Sequence, residues 1–374
     1  MSKIYDIQQK PKKAFLVSIQ EGKGENSMYR ELRGLCETLE LEITAHEKIR
    51  VREKSPKFGM GSGKAEELTQ KANELEADLF VFDSNLNPSQ QRNWETLSGI
   101  PVVDRQEIII RIFADRATTR EAELQVKLAE LTYFLPRLTH KYIDLSRQRG
   151  GRYGTKGSGE TKFETDRRKI EKRISLLEKE IEQITKQRKM QRRQRERTNI
   201  PVCAIVGYTN SGKSSLLNTL TGANVLAEDK LFVTLDAVTR RYELSPGKYV
   251  LFTDTVGFIR ALPHSLIKAF RSTLEEAALA NILIHILDAS EPDIDSNYET
   301  TINVLHELGA HEIPMITVLN KIDRLPANGE ITIEDLQSRF PGSVAISAKN
   351  GTGLDELKNK ILEMIDVFST TPLF

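Results

Sequence analysis

Hydrophobic and polar positions follow three successive patterns along the chain, and these predict three regions. In the first, residues 1–113, short apolar runs at 14–17, 78–82 and 101–103 predict strands, and the stretches between them have helical spacing. A helix is predicted to begin at Pro88, because proline is favoured in the first turn of a helix. The first region is therefore predicted to be a small α/β domain.

The second region, residues 114–198, has apolar residues spaced alternately four and three positions apart. This spacing occurs at Leu124, Leu128, Leu131, Leu135 and Leu138, and again at Ile170, Ile174, Leu177, Ile181 and Ile184. The two seams flank a glycine-rich stretch at 150–159 and predict an antiparallel helical hairpin in which each seam buries the other. Pro136 lies inside the first arm and is expected to bend it.

The third region, residues 199–366, again alternates apolar runs with helical stretches. Buried strands are predicted at residues 200–206, 249–253, 282–287, 315–319 and 344–346. Strands of this kind separated by helices predict a mainly parallel, doubly wound sheet. A short tail, residues 367–374, follows. The predicted fold class is therefore α/β, with a helical hairpin between two globular domains.

Composition excludes several classes of protein. The apolar runs are all far shorter than the roughly 20 residues of a membrane span, and no apolar segment follows the N-terminus as in a secretory signal. The two cysteines, Cys36 and Cys203, make neither a disulfide framework nor a four-ligand zinc site. These features predict a cytoplasmic protein.

Charge is distributed unevenly, although the net charge is only +1. Residues 141–197 contain 19 Lys or Arg against 9 Asp or Glu, which leaves the rest of the chain acidic. Such a basic segment favours a polyanionic partner. Arg147, Arg149, Arg152 and Lys156 cluster at the glycine-rich tip and are predicted to contact RNA. For the basic run at 186–197, a solvated helix face stays open as the alternative.

The sequence GYTNSGKS at residues 207–214 fits the phosphate-loop pattern G-x-x-x-x-G-K-[ST] and lies between a predicted strand and a helix. Its backbone N–H groups are expected to surround nucleotide phosphates, with Lys213 bridging the β- and γ-phosphates and Ser214 holding Mg²⁺. The stretch FGMGSGKA at 58–65 is similar, but Phe58 replaces the first glycine and Ala65 the hydroxyl residue. A second nucleotide site and a flexible loop are both open interpretations of it.

Three further motifs follow predicted strands in a fixed order: DTVG at 254–257, NKID at 320–323 and SAK at 347–349. Asp254 is expected to reach Mg²⁺ through water, and the Gly257 N–H to meet the γ-phosphate. The Asp323 carboxylate would accept from guanine N1–H and the 2-amino group, which adenine lacks, and the Ala348 amide would donate to guanine O6. Together the motifs indicate a guanine-nucleotide-binding domain that resembles the translation-factor class of Ras-like GTPases.

Thr234 is the best candidate among the threonines between residues 219 and 253 to complete the Mg²⁺ shell, and a solvent-facing loop threonine is the alternative. Phe258 stands where many GTPases place a residue that orients the attacking water. Because phenylalanine has no polar group, slow basal hydrolysis stimulated by a partner is expected.

The predicted site for GTP and Mg²⁺ combines these motifs. Lys213, Thr234 and Gly257 are assigned to catalysis, and Ser214, Thr234 and Asp254 to the metal. Nucleotide-binding residues are Gly207, Tyr208, Thr209, Asn210, Ser211, Gly212, Lys213 and Ser214; Phe232, Val233, Thr234, Leu235 and Asp236; Asp254, Thr255, Val256 and Gly257; Asn320, Lys321, Ile322 and Asp323; and Ser347, Ala348 and Lys349.

The motifs at 207–214, 231–236 and 254–259, with those at 104–105, 124–138 and 157–168, resemble the HflX family of GTPases from about residue 12 to 365. The resemblance implies an N-terminal HflX domain, a helical linker hairpin and a GTPase domain. It also implies association with the large ribosomal subunit and its ribosomal RNA and, as in several members, splitting of stalled or idle ribosomes. We expect a monomer that exchanges GTP and GDP.

Two other functions are weighed against this one. In the first, GTP regulates a module that binds RNA or an anionic membrane surface; the narrow apolar seam of the hairpin leaves no broad face for insertion, so only weak peripheral association is expected. In the second, the N-terminal domain is an RNA chaperone or helicase-like ATPase. The incomplete phosphate loop at 58–65 argues against it.

Overall fold

A computed structural model describes residues 12–21, 28–148, 158–196, 200–223, 225, 228, 230–260, 271–325 and 331–370. The chain forms two compact units. The first comprises Met1–Asp115 with Leu124–Ile181, and the second Arg116–Glu123 with Glu182–Phe374. None of the helices within the described ranges is long and apolar enough to cross a membrane.

The first unit is built on a four-stranded parallel sheet in the order β2-β1-β3-β4. Its strands are β1 (Lys13–Glu21), β2 (Glu42–Val51), β3 (Leu79–Phe82) and β4 (Val102–Asp104). Its helices are α1 (Met28–Thr38), α2 (Ser62–Glu74), α3 (Pro88–Ser98) and α4 (Arg105–Arg116). The predicted strands and the helix beginning at Pro88 are confirmed.

An aromatic core holds this sheet to its helices. Trp94 is fully buried among Phe80, Phe82 and Phe58, with ring centroids 4.9 to 5.6 Å away. Its indole N–H donates to the Phe58 carbonyl at 3.0 Å. The flexible-loop interpretation of residues 58–65 is therefore wrong: Phe58 is packed in the core, and α2 begins at Ser62.

A buried polar network lies at the carboxyl ends of β3 and β4. The Arg105 guanidinium, 1% exposed, pairs with Glu31 and Asp83 at 2.9 Å each. Asp104 accepts hydrogen bonds from the Tyr133 hydroxyl and from Arg137, both at 3.0 Å. Burying these charges is unfavourable unless each is paired, so the loss of one member would leave its partners buried and uncompensated.

Two long helices, α5 (Arg120–Gln148) and α6 (Ser158–Glu196), provide the arms of the predicted hairpin. On α6 the predicted seam is the less exposed face: Leu177 is buried, and the other seam positions are half-buried. Helix α5 continues through Pro136, and the bend expected there stays a prediction. Arg147 lies in the last turn of α5, whereas Arg149, Arg152 and Lys156 lie outside the described residues.

The second unit contains a six-stranded sheet in the order β10-β9-β8-β5-β7-β6, parallel except for the antiparallel pair β6–β7. Its strands are β5 (Val202–Gly207), β6 (Val238–Ser245), β7 (Lys248–Asp254), β8 (Ile282–Asp288), β9 (Met315–Asn320) and β10 (Val344–Ala345). Its described helices, apart from the ends of α5 and α6, are α7 (Lys213–Thr221), α8 (Arg271–Ala278), α9 (Ile294–Glu307), α10 (Ile333–Arg339) and α11 (Leu354–Thr370). The predicted mainly parallel sheet is confirmed.

The centre of this sheet explains where the motifs meet. Strands β5 and β8 are almost entirely buried, as their continuous apolar sequences require in a sheet covered on both faces. Because β5, β7, β8 and β9 are parallel, their carboxyl ends lie along one edge. The phosphate loop, the DTVG motif and the NKID motif all begin at that edge, where ligands of such sheets bind.

Candidate functional site

The phosphate loop turns tightly between β5 and α7. Gly212 has φ +97°, in the region that favours glycine, and a Cβ there would lie 2.2 Å from the Asn320 amide nitrogen. This close approach lets Asn320 reach the loop, where its Nδ2 donates to the Ser211 carbonyl at 2.9 Å. Helix α7 then begins at Lys213, so its N-terminus faces the loop.

Lys213 places a buried positive charge at the centre of the site. Its side chain is buried, and Nζ donates to the Tyr208 carbonyl at 2.7 Å. Burial lowers the Lys213 pKa to about 8, against the opposing effect of the Asp254 carboxylate. A buried cation beside a helix N-terminus is favourable when an anion binds there, so the arrangement suits a phosphate group.

Three oxygen-bearing side chains converge beside Lys213. The Ser214 hydroxyl lies 2.7 Å from the Thr234 hydroxyl and donates to Asp254 Oδ2 at 2.6 Å. Asp254 Oδ1 is buried and has no hydrogen-bond partner among the described residues. Burial raises the Asp254 pKa, while Lys213 favours its charged form. Hydroxyl and carboxylate oxygens are hard ligands, so this cluster fits Mg²⁺.

The segment containing Thr234 is held on both sides. Before it, the Phe232 amide donates to the Thr209 hydroxyl of the phosphate loop at 3.0 Å, and the Phe232 ring is buried. After it, Leu235 is buried, and Asp236 accepts hydrogen bonds from residues of the segment before α5. Leu235 and Asp236 were predicted to bind nucleotide, but neither lines the cavity beside the phosphate loop.

Gly257 and Phe258 lie against the phosphate loop. A Cβ at position 257 would be 2.7 Å from Thr209 Cα and 3.0 Å from Lys213 Nζ, so a side chain there would clash with the backbone of the phosphate loop and crowd the lysine. The Phe258 amide donates to Gly207 O at 3.1 Å, and its carbonyl accepts from Thr209 N at 2.7 Å. The Phe258 ring is buried. The Phe258 backbone is therefore bonded to the phosphate loop, and its ring packs in the core.

The NKID and SAK motifs form the opposite end of the site. Lys321 Nζ donates to the Asn210 carbonyl at 2.8 Å and pairs with Asp288 at 2.7 Å. Asp323 is exposed, and one of its carboxylate oxygens accepts from the Ser347 hydroxyl at 2.6 Å. That hydrogen bond lowers the Asp323 pKa, so the group stays charged. The second carboxylate oxygen provides an acceptor for a base.

The Ala348 amide contacts the NKID motif. It was expected to donate to guanine O6, but in this structure it donates to Asn320 Oδ1 at 3.0 Å. Its donation to guanine O6 stays a prediction. Ala348 thus connects the last motif to the NKID motif, while Lys349 beside it is exposed.

Nine of the 24 predicted nucleotide-binding residues line one cavity. The cavity beside the phosphate loop is lined by Thr209, Asn210, Gly212, Lys213, Ser214, Ser215, Glu228, Lys230, Phe232, Val233, Thr234 and Gly257. Ser215, Glu228 and Lys230 were not predicted. Ser215 follows the motif directly, whereas the other two belong to no recognisable pattern. Thr255 and Val256 are buried, and Thr255 donates to the Ile205 carbonyl at 2.8 Å.

Comparison with known proteins identifies the family. A curated GTPase HflX of Akkermansia muciniphila is 46% identical over 97% of this chain and 87% of its own length. The chain belongs to the HflX family of GTPases. It is therefore an enzyme that hydrolyses GTP, as the site predicts. The HflX of Escherichia coli strain K12 is also similar, with 42% identity over 83% of this chain and 72% of its own length.

Three family models match successive segments of this HflX chain. They are described as "GTP-binding GTPase N-terminal" at residues 26–114, "GTP-binding GTPase Middle Region" at residues 116–195 and "50S ribosome-binding GTPase" at residues 202–321. Among solved structures, SsGBP in complex with GDP is 26% identical, with a TM-score of 0.51, and covers 96% of this chain and 99% of its own. The predicted family and fold class are confirmed.

Proposed function

We propose that the GTP form of this enzyme binds the large ribosomal subunit and splits or rescues stalled or idle ribosomes, or acts in ribosome assembly. The observation that carries the proposal is the match of residues 202–321 to a family described as "50S ribosome-binding GTPase". The protein is proposed to be monomeric, cytoplasmic and associated with ribosomes. The alternative is a GTP-regulated module that binds RNA or a membrane surface without splitting ribosomes.

The catalytic part of the proposal assigns Ser214, Thr234 and Asp254 to Mg²⁺. Their converging oxygens and the partnerless Asp254 Oδ1 support the assignment. When bound, the metal supplies positive charge next to the transferred phosphoryl group. Lys213 adds a buried cation at the same end of the site, and Gly257 provides a backbone N–H at a position where a side chain would clash with the phosphate-loop backbone.

Slow basal hydrolysis is part of the proposal. Phe258 follows the DTVG glycine, and its buried ring has no atom that can orient water. The missing group is therefore assigned to another part of the chain or to the ribosome. A GTPase of this kind stays in its GTP form until it reaches the partner that completes the site.

Contact with ribosomal RNA is assigned to the tip of the hairpin. Arg147 and Arg149 directly precede the glycine-rich stretch at 150–159, and Arg152 and Lys156 lie within it. Glycine there lets both backbone and guanidinium groups approach phosphates closely. RNA recognition of this kind depends mainly on phosphate contacts and shape.

Changing Arg147, Arg149, Arg152 and Lys156 together to alanine is expected to abolish most co-sedimentation with purified large subunits. Each phosphate contact removed should flatten the log–log salt dependence of binding by about 0.7–0.9. GTP affinity should not change, because the phosphate loop and the DTVG, NKID and SAK motifs lie elsewhere in the sequence.

A matched control changes four exposed basic residues of the first unit, Arg30, Arg50, Arg52 and Lys57, to alanine. This control loses the same formal charge and should bind subunits nearly normally. Wild-type affinity and salt slope in the tip variant would exclude the tip as the RNA contact. Equal losses in both variants would indicate a general charge effect.

A further inference from the structure

Asp236 connects the nucleotide site to a segment far away in the sequence. Thr118 Oγ1 donates to Asp236 Oδ2 at 2.9 Å, the Thr119 amide donates to the same oxygen at 3.2 Å, and the Thr119 hydroxyl donates to Asp236 Oδ1. Both carboxylate oxygens are therefore occupied. The segment Arg116–Glu123 belongs to the same compact unit as the nucleotide site, so this contact is internal to that unit.

Thr119 also begins helix α5. Its hydroxyl accepts from the Ala122 amide at 3.2 Å, and its carbonyl accepts from the Glu123 amide at 3.0 Å, as at a helix N-cap. One side chain thus caps the helix and binds Asp236. A second contact joins the two segments, because Arg116 pairs with Glu228 at 3.3 Å. The segment before α5 therefore contacts residues on both sides of Thr234.

Thr234 lies two residues before Asp236 and its hydroxyl is 2.7 Å from that of Ser214. Leu235, between them, is buried, which limits how far Thr234 can move relative to the Asp236 carboxylate. On the other side, the Phe232 amide is bonded to Thr209 of the phosphate loop. The backbone around Thr234 is thereby fixed at two points, one inside the matched GTPase segment 202–321 and one in the middle region.

We propose that Thr118 and Thr119 are positioning residues for GTP hydrolysis, acting through Asp236 to hold Thr234 at the metal end of the nucleotide site. The inference rests on the proposed role of Thr234 as a Mg²⁺ ligand. Because coupling between two equilibria is reciprocal, GTP that orders Thr234 also strengthens the bonds that fix the first turn of α5. The middle region thus contributes to hydrolysis, and the bound nucleotide affects the stability of the first turn of α5, where the hairpin begins.

The test replaces Thr118 and Thr119 together by valine, which removes both hydroxyls and keeps the branched shape. The loss of a hydrogen bond to a charged group changes an equilibrium constant by a factor of roughly 10–100. We expect kcat at saturating GTP to fall about tenfold or more and the Mg²⁺ concentration for half-maximal rate to rise. GDP affinity should stay within about twofold, because the phosphate loop and the NKID motif are unchanged. Thr119→Ser alone, which keeps the hydroxyl, should retain most of the wild-type rate.

Thr332→Val is the matched control for loss of a helix cap. The Thr332 hydroxyl caps α10 by accepting from the Asp335 amide at 3.2 Å, and it has no contact with Asp236. This variant should lower the melting temperature without altering kcat or the Mg²⁺ requirement. The inference is overturned if the valine pair behaves like this control, or if its kcat and Mg²⁺ requirement match the wild type.

Two further variants separate this inference from the proposal on which it rests. Asp236→Ala combined with the valine pair should be no slower than either alone, because all three residues act through one contact. Additive losses would contradict that. Thr234→Ala should slow hydrolysis strongly; if it does not, the assigned role of Thr234 fails. A slow Thr234→Ala with an unaffected valine pair rejects only the positioning role.

Discussion

Lys213→Ala is expected to lower the rate of GTP hydrolysis by at least about a hundredfold. The Lys213 ammonium is buried and donates to Tyr208 O, and its positive charge would stabilise the negative charge of a phosphoryl group in transfer. Removing one such preorganised charge from a site that excludes water typically costs two to three powers of ten. Single-turnover hydrolysis, with and without ribosomal subunits, measures the effect.

Lys64 offers a matched control, since it stands at the equivalent position of the incomplete loop at 58–65. Its ammonium is partly exposed and pairs with Glu67 at 2.6 Å. Lys64→Ala should leave hydrolysis and nucleotide binding unchanged. Loss of nucleotide binding in this variant would instead support a second nucleotide site in the first unit. Near-normal hydrolysis in Lys213→Ala would contradict the assigned phosphate site.

Asp323→Asn is expected to exchange the base preference of the enzyme. The charged Asp323 carboxylate has one oxygen bonded to Ser347 and another open to a base that presents two donors, as guanine does. Losing this charge-assisted pair should cost about 1.5–3 kcal/mol, or roughly ten- to a hundredfold in GTP affinity. An asparagine amide can donate to the 2-carbonyl of xanthine, so affinity for xanthosine triphosphate should rise.

Competition between the two nucleotides measures this exchange directly. Asp355→Asn, at an exposed carboxylate in the first turn of α11, is the control and should keep the preference for GTP. Unchanged GTP affinity in Asp323→Asn would remove Asp323 from the base site. Equal loss of GTP and xanthosine triphosphate would indicate that the Ser347 contact, and not base recognition, is what the carboxylate provides.

The sequence predicts the central strands and the motifs between them because each is marked by a pattern within its own short segment. Strands such as β5 and β8 are buried on both faces and therefore read as continuous apolar runs. The edge strands β2 and β6 were not predicted. Each has another strand on only one side and mixes charged with apolar residues, for example at Glu47, Lys48, Arg240 and Arg241, so no apolar run marks it.

Contacts between distant residues carry no such signal. Asp236 lies 117 positions from Thr119, and the sequence offers no pattern that pairs them. The same holds for Arg105 with Glu31 and Asp83. Asp236 and Leu235 follow Thr234 directly, and their assignment to the nucleotide stays a prediction. Neighbours along a loop point in different directions, and only the fold separates a ligand-facing residue from one that anchors the loop.

We expect this HflX enzyme to hydrolyse GTP slowly on its own and to be activated by the large ribosomal subunit. The most direct measurement is the rate of GTP hydrolysis by the purified enzyme, alone and with purified large subunits, small subunits or anionic liposomes. We expect a low basal rate, because Phe258 orients no water, and strong stimulation by large subunits alone. A fast basal rate that no ribosomal particle changes, or stimulation by liposomes in place of large subunits, would contradict activation by the large subunit.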